Sequence, residues 1–156
     1  MSNVRAIDTK LTGRLRGQST DDFGNPTRRS RAADGGAPCR HCLHDAKPGD
    51  ELILTGHSPF DQLGPYKEVG PIYLHAASCQ AYAAPKVIPP VIRQRQVVIR
   101  AYDETQSIID ADLVDGADAE SLIERLFANT RTRYLHARTA RHGCFLCRIE
   151  RADGTP

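Results

Sequence analysis

Residues 133–149 have the sequence RYLHARTARHGCFLCRI, in which two short runs with aromatic and aliphatic residues flank a turn. The first run extends from Arg133 to Arg138 and the second from Cys144 to Ile149, and both are typical of strands. His142-Gly143 lies between them, and glycine suits the positive φ that a hairpin turn can demand. This stretch therefore predicts a C-terminal β-hairpin and makes an antiparallel sheet the basis of the fold.

After residue 38 the chain continues the pattern of short apolar runs separated by proline and glycine. Such runs favour strands over long helices. The predicted strands are Glu51–Gly56, Pro71–His75, Gln96–Tyr102, Thr132–Arg138 and Phe145–Ile149. Residues 57–70 then form a long connection between two strands, and connections of that length often carry function.

Helices are expected at two places. Asp118 can cap a helix whose apolar stripe consists of Leu122, Ile123, Leu126 and Phe127. A second helix is predicted around Gln106 to Leu113. The fold class is therefore α+β, a mainly antiparallel sheet with one or two helices in a single domain over residues 38–156. Residues 1–37 are rich in arginine and turn signals, which predicts a basic, partly flexible N-terminal arm.

Length and composition exclude several classes of protein. The chain has 156 residues, of which 40% are hydrophobic and 26% are charged, as in ordinary globular domains. Its apolar runs are far shorter than the ~20 residues that cross a bilayer, and its N-terminus lacks the apolar segment of a secretory signal. We therefore expect a cytoplasmic protein without a membrane partner. The net charge of +2 is too small to favour nucleic acid, so the partner stays open.

The cysteine pattern predicts a metal site. Four of the five cysteines form two CxxC pairs, which in a reducing compartment are more typical of metal binding or catalysis than of a disulfide framework. Cys39-x2-Cys42 is followed by His75-x3-Cys79, which supplies the four nitrogen and sulfur ligands of a tetrahedral Zn²⁺ ion. The competing interpretation makes Cys79 a small buried hydrophobe and His75 a hydrogen-bonded core histidine.

The first cysteine pair allows two further readings. His41 and His44 could substitute as metal ligands, but a solvent-facing position is favoured for both. His41 and Arg40 would also favour a reactive thiolate, as redox chemistry requires. No strand clearly precedes Cys39, so the βαβ setting of thioredoxin-like sites is missing and zinc is favoured.

Cys144-x2-Cys147 repeats the spacing inside an apparent strand. Alternation points these two side chains to opposite faces, so both bind one metal only if a bulge intervenes. We expect one buried cysteine and one facing a pocket, where Cys144 would lie near His136 or His142. A Cys/His pair is the minimum for nucleophilic catalysis, although packing is the commoner role.

Several arginines gather around the predicted hairpin and could bind phosphates or stack on bases. They are Arg131, Arg133, Arg138, Arg141, Arg148 and Arg151. A solvated face is the favoured interpretation, because the net charge is near neutral and no known nucleic-acid module matches.

Several landmarks follow one another along residues 38–152. They are Pro38-Cys39-Arg40, Asp45-Ala46, Pro48-Gly49, Pro65-Tyr66, Gly70-Pro71-Ile72, His136, Arg138 and Gly143-Cys144-x-x-Cys147-Arg148-Ile149-x-Arg151. In this order they resemble the bacterial family of domains of unknown function DUF1203. The resemblance implies a bacterial, stand-alone, single-domain protein and carries no established activity, substrate or cofactor. Cys39, His136, Cys144 and Cys147 match the family pattern, whereas many members lack an equivalent of Cys42.

Two functional hypotheses follow. In the first, a structural zinc ion fastens the first hairpin, and the protein acts as a binding or regulatory module because four protein ligands leave no open position on the metal. In the second, the protein is an enzyme whose pocket is lined by Cys39, His136, Arg138 and Cys144. A thiolate would then act as nucleophile or as ligand of an open metal site.

Overall fold

The computed structural model describes residues 2–152, so Met1 and the last residues of the expected domain, 153–156, lie outside the described residues. Within residues 2–152 the chain forms eight strands and three α-helices. The elements are β1 (Ser2–Arg5), α1 (Thr9–Arg16), β2 (Arg28–Arg31), β3 (Glu51–His57), β4 (Gly70–His75), α2 (Pro90–Arg93), β5 (Gln96–Tyr102), β6 (Ile108–Asp115), α3 (Ala119–Ala128), β7 (Tyr134–Thr139) and β8 (Phe145–Arg151). A 3-10 turn, Gly116–Asp118, leads into α3.

The strands form two antiparallel sheets. The five-stranded sheet has the order β1-β8-β7-β5-β6, and the three-stranded sheet has the order β2-β3-β4. The predicted C-terminal hairpin is confirmed as β7 and β8, whose register shifts at a bulge between Ala137 and Arg138. The predicted α+β, mainly antiparallel single-domain class is confirmed as well.

Helix α3 covers the apolar face of the five-stranded sheet. Its inward residues Ala119, Leu122, Ile123 and Leu126 are buried in one cluster with Val97 and other apolar residues of that sheet. Asp118 stands at the N-cap as predicted, but its side chain makes no capping hydrogen bond. The helix is therefore held chiefly by burial of its apolar stripe.

The predicted helix around residues 106–113 is wrong, because this segment enters strand β6. Gln106 has a φ of 61°, which is incompatible with a right-handed helix and makes the turn after β5. Ile108, Ile109 and Val114 are β-branched and fit a strand. The hydrogen bonds of β6 come from β5, a partner that the local pattern does not reveal.

Residues 2–31 contribute to both sheets. Strand β1 pairs with β8, strand β2 pairs with β3, and helix α1 buries Thr12 and Leu15. The flexibility expected for residues 1–37 stays a prediction. Among the helices of the described chain, none is long and apolar enough to cross a membrane.

Candidate metal centre

The loop after residue 38 is a tight turn that holds two cysteines beside strand β4. The N–H of Cys39 donates to the carbonyl of His44, and the N–H of Leu43 donates to the carbonyl of Cys39, both at 3.0 Å. Arg40 N–H donates to the carbonyl of Tyr73 at 3.1 Å, which attaches the turn to β4. Leu43 has a φ of 55°, and its fully buried side chain fixes this strained position in the core.

Strand β4 and the residues after it bring the second pair to the first. His75 ends β4, and its Nδ1 lies 3.6 Å from the Sγ of Cys42. The Sγ atoms of Cys39 and Cys79 are 3.9 Å apart. The ligand atoms of all four residues lie within 4.8 Å of one another. The four residues that the sequence selects thus form one cluster that could hold a metal ion.

A carboxylate orients the histidine of this cluster. Nε2 of His75 lies 3.2 Å from Oδ2 of Asp50, while its other ring nitrogen faces the thiols. Asp50 is fixed by the backbone N–H of Lys47, which donates to the same oxygen at 2.9 Å. A carboxylate behind a histidine is the usual outer contact of a metal-bound imidazole. Sequence reasoning missed Asp50, because it lies 25 residues before His75.

The two most buried thiols of the cluster differ in acidity. The thiol of Cys42 and the backbone N–H groups of Cys42, His75 and His41 donate to Cys39 and hold the pKa of its thiol well below the usual value. The same contact with Cys39, followed by burial, raises the pKa of Cys42. The site thus stabilises a thiolate, the form that a metal requires.

Cys79 is only partly buried, and two side chains outside the ligand set contact its Sγ atom. Nη2 of Arg16 lies 3.2 Å from its Sγ, and Nδ1 of His41 also lies at 3.2 Å. Burial raises the pKa of the Cys79 thiol, and the contact with Arg16 opposes that effect. Nε2 of His41 contacts Oγ1 of Thr9 at 2.9 Å, so helix α1 forms one wall of the cluster. Sequence reasoning placed this helix in a partly flexible arm and did not connect it with the site.

The solvent-facing position predicted for both alternative ligands is wrong for His41, which is buried, and correct for His44. His44 lies outside the cluster. Its Nδ1 is 2.9 Å from the carbonyl oxygen of Cys42. Within residues 2–152 none of the five cysteines forms a disulfide.

Comparison with known families gives one match. Residues 36–151, most of the chain, match the family described as "Protein of unknown function (DUF1203)". The chain belongs to this family. Comparisons with curated proteins and with solved structures found no significant match. All four candidate ligands of this DUF1203 chain lie in the matched region.

Two residues of the hypothetical enzyme pocket, His136 and Arg138, lie on the same face of β7 in this DUF1203 chain. Cys39 belongs to the metal-ligand cluster. His136 is buried among aromatic rings, with centroids at 5.2 Å from Phe60 and 5.0 Å from Phe145. Cys144 lies at the hairpin turn, where its N–H donates to the hydroxyl of Thr139 at 3.0 Å.

The cysteines of the hairpin differ in burial. Cys147 is fully buried, which raises the pKa of its thiol to about 12, whereas Cys144 is partly exposed.

The hairpin arginines do not form one uniform face. Arg131 and Arg133 are exposed and pair with acidic residues of the turn after β5. Arg138 instead is 4% exposed and contacts Glu68. Burial of a guanidinium requires a carboxylate or another acceptor beside it, so Arg138 departs from the solvated face expected for the set.

Proposed function

We propose that Cys39, Cys42, His75 and Cys79 bind one zinc ion and that the metal is structural. The observation that carries the proposal is the spacing of the ligand atoms. Around a tetrahedral zinc ion, bond lengths of about 2.3 Å and 2.0 Å place two sulfurs about 3.8 Å apart and sulfur and nitrogen about 3.5 Å apart. The separations of 3.9 Å between two sulfurs and 3.6 Å between sulfur and nitrogen agree with these values.

The chemistry of the donors supports zinc over other common ions. Three thiols and one imidazole are soft or borderline ligands, whereas calcium and magnesium require oxygen ligands. The carboxylate of Asp50 behind His75 adds the outer contact that orients a bound imidazole.

A full set of four protein ligands supports a structural role. Such an ion has no open position for water or substrate. It would join the Cys39–Cys42 turn to the end of β4, segments more than 30 residues apart in the chain, and so reduce the entropy cost of ordering the connection. We propose that the protein acts as a binding or regulatory module in the cytoplasm, where reduced thiols persist.

The proposal is tested by elemental analysis of the purified protein, with zinc supplied during expression. We expect about one zinc per chain, and we expect Cys42→Ser to lose most of its zinc at a chelator concentration that leaves the unaltered protein loaded. Cys144→Ser is the matched control, because it removes a thiol outside the cluster and should keep its zinc. A chain without zinc, or Cys42→Ser with unchanged zinc affinity, would overturn the proposal. Iron in place of zinc would overturn the identity of the metal.

The structural role is tested by thermal unfolding. We expect chelation to lower the melting temperature of the unaltered protein and of Cys144→Ser alike, because the binding free energy is part of the folding free energy. An unchanged melting temperature after complete removal of zinc would contradict a structural role.

A further inference from the structure

The second face of the five-stranded sheet is cationic rather than apolar. The register places Arg5 opposite Arg148, Arg148 opposite His136, and His136 opposite Arg100, so four side chains form one row across four strands. The other face is the apolar core, formed by Val97, Ile99, Ala101, Leu135, Ala137 and Ile149. Like charges directly opposite one another destabilise a sheet, and carboxylates offset the arginines of this row. Glu150 lies 3.1 Å from Nε of Arg5 and 2.9 Å from Nε of Arg148.

Several buried polar groups on this face lack a partner. Within residues 2–152 neither ring nitrogen of His136 has a hydrogen-bond partner, nor do the hydroxyls of Tyr102 and Tyr134 or the Nε of Arg138. His136 and Tyr102 are fully buried, and Arg138 and Tyr134 are nearly so. Buried polar groups are almost always hydrogen-bonded, so this concentration of unused groups points to a ligand.

The imidazole of His136 is suited to an uncharged hydrogen-bonding role. Burial, followed by the nearby arginines, lowers the pKa of His136 to about 2. The neutral ring offers one nitrogen donor and one nitrogen acceptor.

The carboxylate of Glu68 occupies the part of this face between Arg100 and Arg138. Oε1 of Glu68 contacts Nη2 of Arg138 and lies 3.7 Å from Nη1 of Arg100. The side chain of Glu68 is 45% exposed, whereas that of Arg138 is 5% exposed. Glu68 belongs to the β3–β4 connection, whose Phe60 covers His136 from the same side. A buried guanidinium is thus paired with a carboxylate that can turn outward into solvent.

We propose that this face binds a small carboxylate-bearing ligand, whose carboxylate replaces that of Glu68 between Arg100 and Arg138. Guanidinium groups match the planar carboxylate with paired hydrogen bonds. The tyrosine hydroxyls and the imidazole bind the remaining polar atoms of the ligand. The half-exposed side chain of Glu68 marks the side on which this site meets solvent. A separate cleft of about 360 Å³ opens at the Arg148 end of the row, and its lining includes the carboxylates of Asp8, Asp61 and Glu150. This site does not depend on the metal.

The test measures binding of succinate to the full chain. The ring nitrogen and proton signals of His136 are followed by NMR during titration with sodium succinate, against sodium chloride of equal ionic strength. We expect a saturable shift of the His136 signals and about tenfold tighter binding to Glu68→Gln, because that change removes the internal competitor. A gain in affinity cannot result from loss of the fold.

The matched control is Glu120→Gln, which changes the net charge equally at a surface residue that pairs with Arg93 on another part of the molecule. Its affinity for succinate should equal that of the unaltered protein. Arg100→Gln, at a side chain that is 31% exposed, should weaken binding about tenfold while the protein stays folded.

Several results would overturn the proposal. One is the lack of a saturable shift in Glu68→Gln up to about 50 mM succinate. This result would mean that the unpaired polar groups form hydrogen bonds with water alone. Another is equal affinity of Glu68→Gln and Glu120→Gln. Inorganic phosphate binding as tightly as succinate would overturn the preference for a carboxylate.

Discussion

Gly116 allows the turn before α3 to touch helix α2, and Gly116→Ala tests that contact. A Cβ at residue 116 would lie 1.8 Å from the carbonyl oxygen of Ile92 and 2.8 Å from the Cα of Arg93. Both neighbours are backbone atoms, which cannot rotate away as the end of a side chain can. The backbone N–H of Gly116 also donates to the carbonyl of Arg95 at 2.9 Å, so the two segments cannot separate without losing this hydrogen bond.

The expected cost follows from the displacement that the new methyl group requires. Real Cβ contacts are essentially never shorter than 3.0 Å, so the segments must move apart by more than 1 Å. Overpacking typically costs 1–3 kcal/mol, and an obstacle made of backbone favours the upper end, about 3 kcal/mol. For a chain of this length, this corresponds to a fall in melting temperature of about 6–12 °C.

Urea unfolding followed by far-ultraviolet circular dichroism gives the measurement, because the chain contains no tryptophan. Gly13→Ala is the matched control, since a Cβ at residue 13 meets nothing within 4 Å and lies inside helix α1. It should stabilise the protein by about 0.5–1 kcal/mol. If Gly116→Ala unfolds within about 0.5 kcal/mol of the unaltered protein, the close approach of the turn to α2 is refuted.

Two further predictions concern the metal cluster and the buried histidine. Asp50→Asn removes the carboxylate that contacts Nε2 of His75, so it should lower the zinc affinity about tenfold. A competition titration with a chromophoric chelator measures this affinity. An unchanged affinity would show that the carboxylate does not support the metal site. His136 has a pKa lowered to about 2, chiefly by burial, so the unfolded chain takes up a proton below pH 6.5 that the folded chain excludes. The contribution of His136 to the free energy of unfolding is therefore fully present above pH 6.5 and decreases as the pH falls. Between pH 7 and pH 5 the free energy of unfolding should fall by about 2 kcal/mol more in the unaltered protein than in His136→Phe. Parallel losses in urea titrations of the two proteins would contradict the burial of a neutral imidazole.

The strand predictions succeeded where the local pattern matched the tertiary surroundings. The predicted Gln96–Tyr102 strand is β5 with identical bounds, and the hairpin of β7 and β8 differs from its prediction by only a few residues. In both cases apolar side chains line one face, which is a property of the sequence itself. Strand β6 lies at the edge of the sheet and has no buried residue, so its sequence shows too little alternation to predict a strand.

The polar face of the five-stranded sheet is visible in the sequence as polar residues that alternate along two strands. Tyr134, His136 and Arg138 alternate along β7, and Arg100 and Tyr102 alternate along β5. The sequence favours a solvated position for these arginines, because composition gives no information on the β3–β4 connection that covers them. Only the tertiary structure shows Glu68 and Phe60 packed over this face.

The sequence by itself determined which residues could ligate a metal, because two close pairs of nitrogen and sulfur ligands are a property of spacing along the chain. It also determined the hairpin, since alternation and turn chemistry act between neighbouring residues. Only the tertiary structure decided that Cys42 meets His75, that Asp50 stands behind that histidine and that helix α1 closes one side. These contacts join segments that are distant in the chain, and the packing of the two sheets, rather than any local preference, sets their distances.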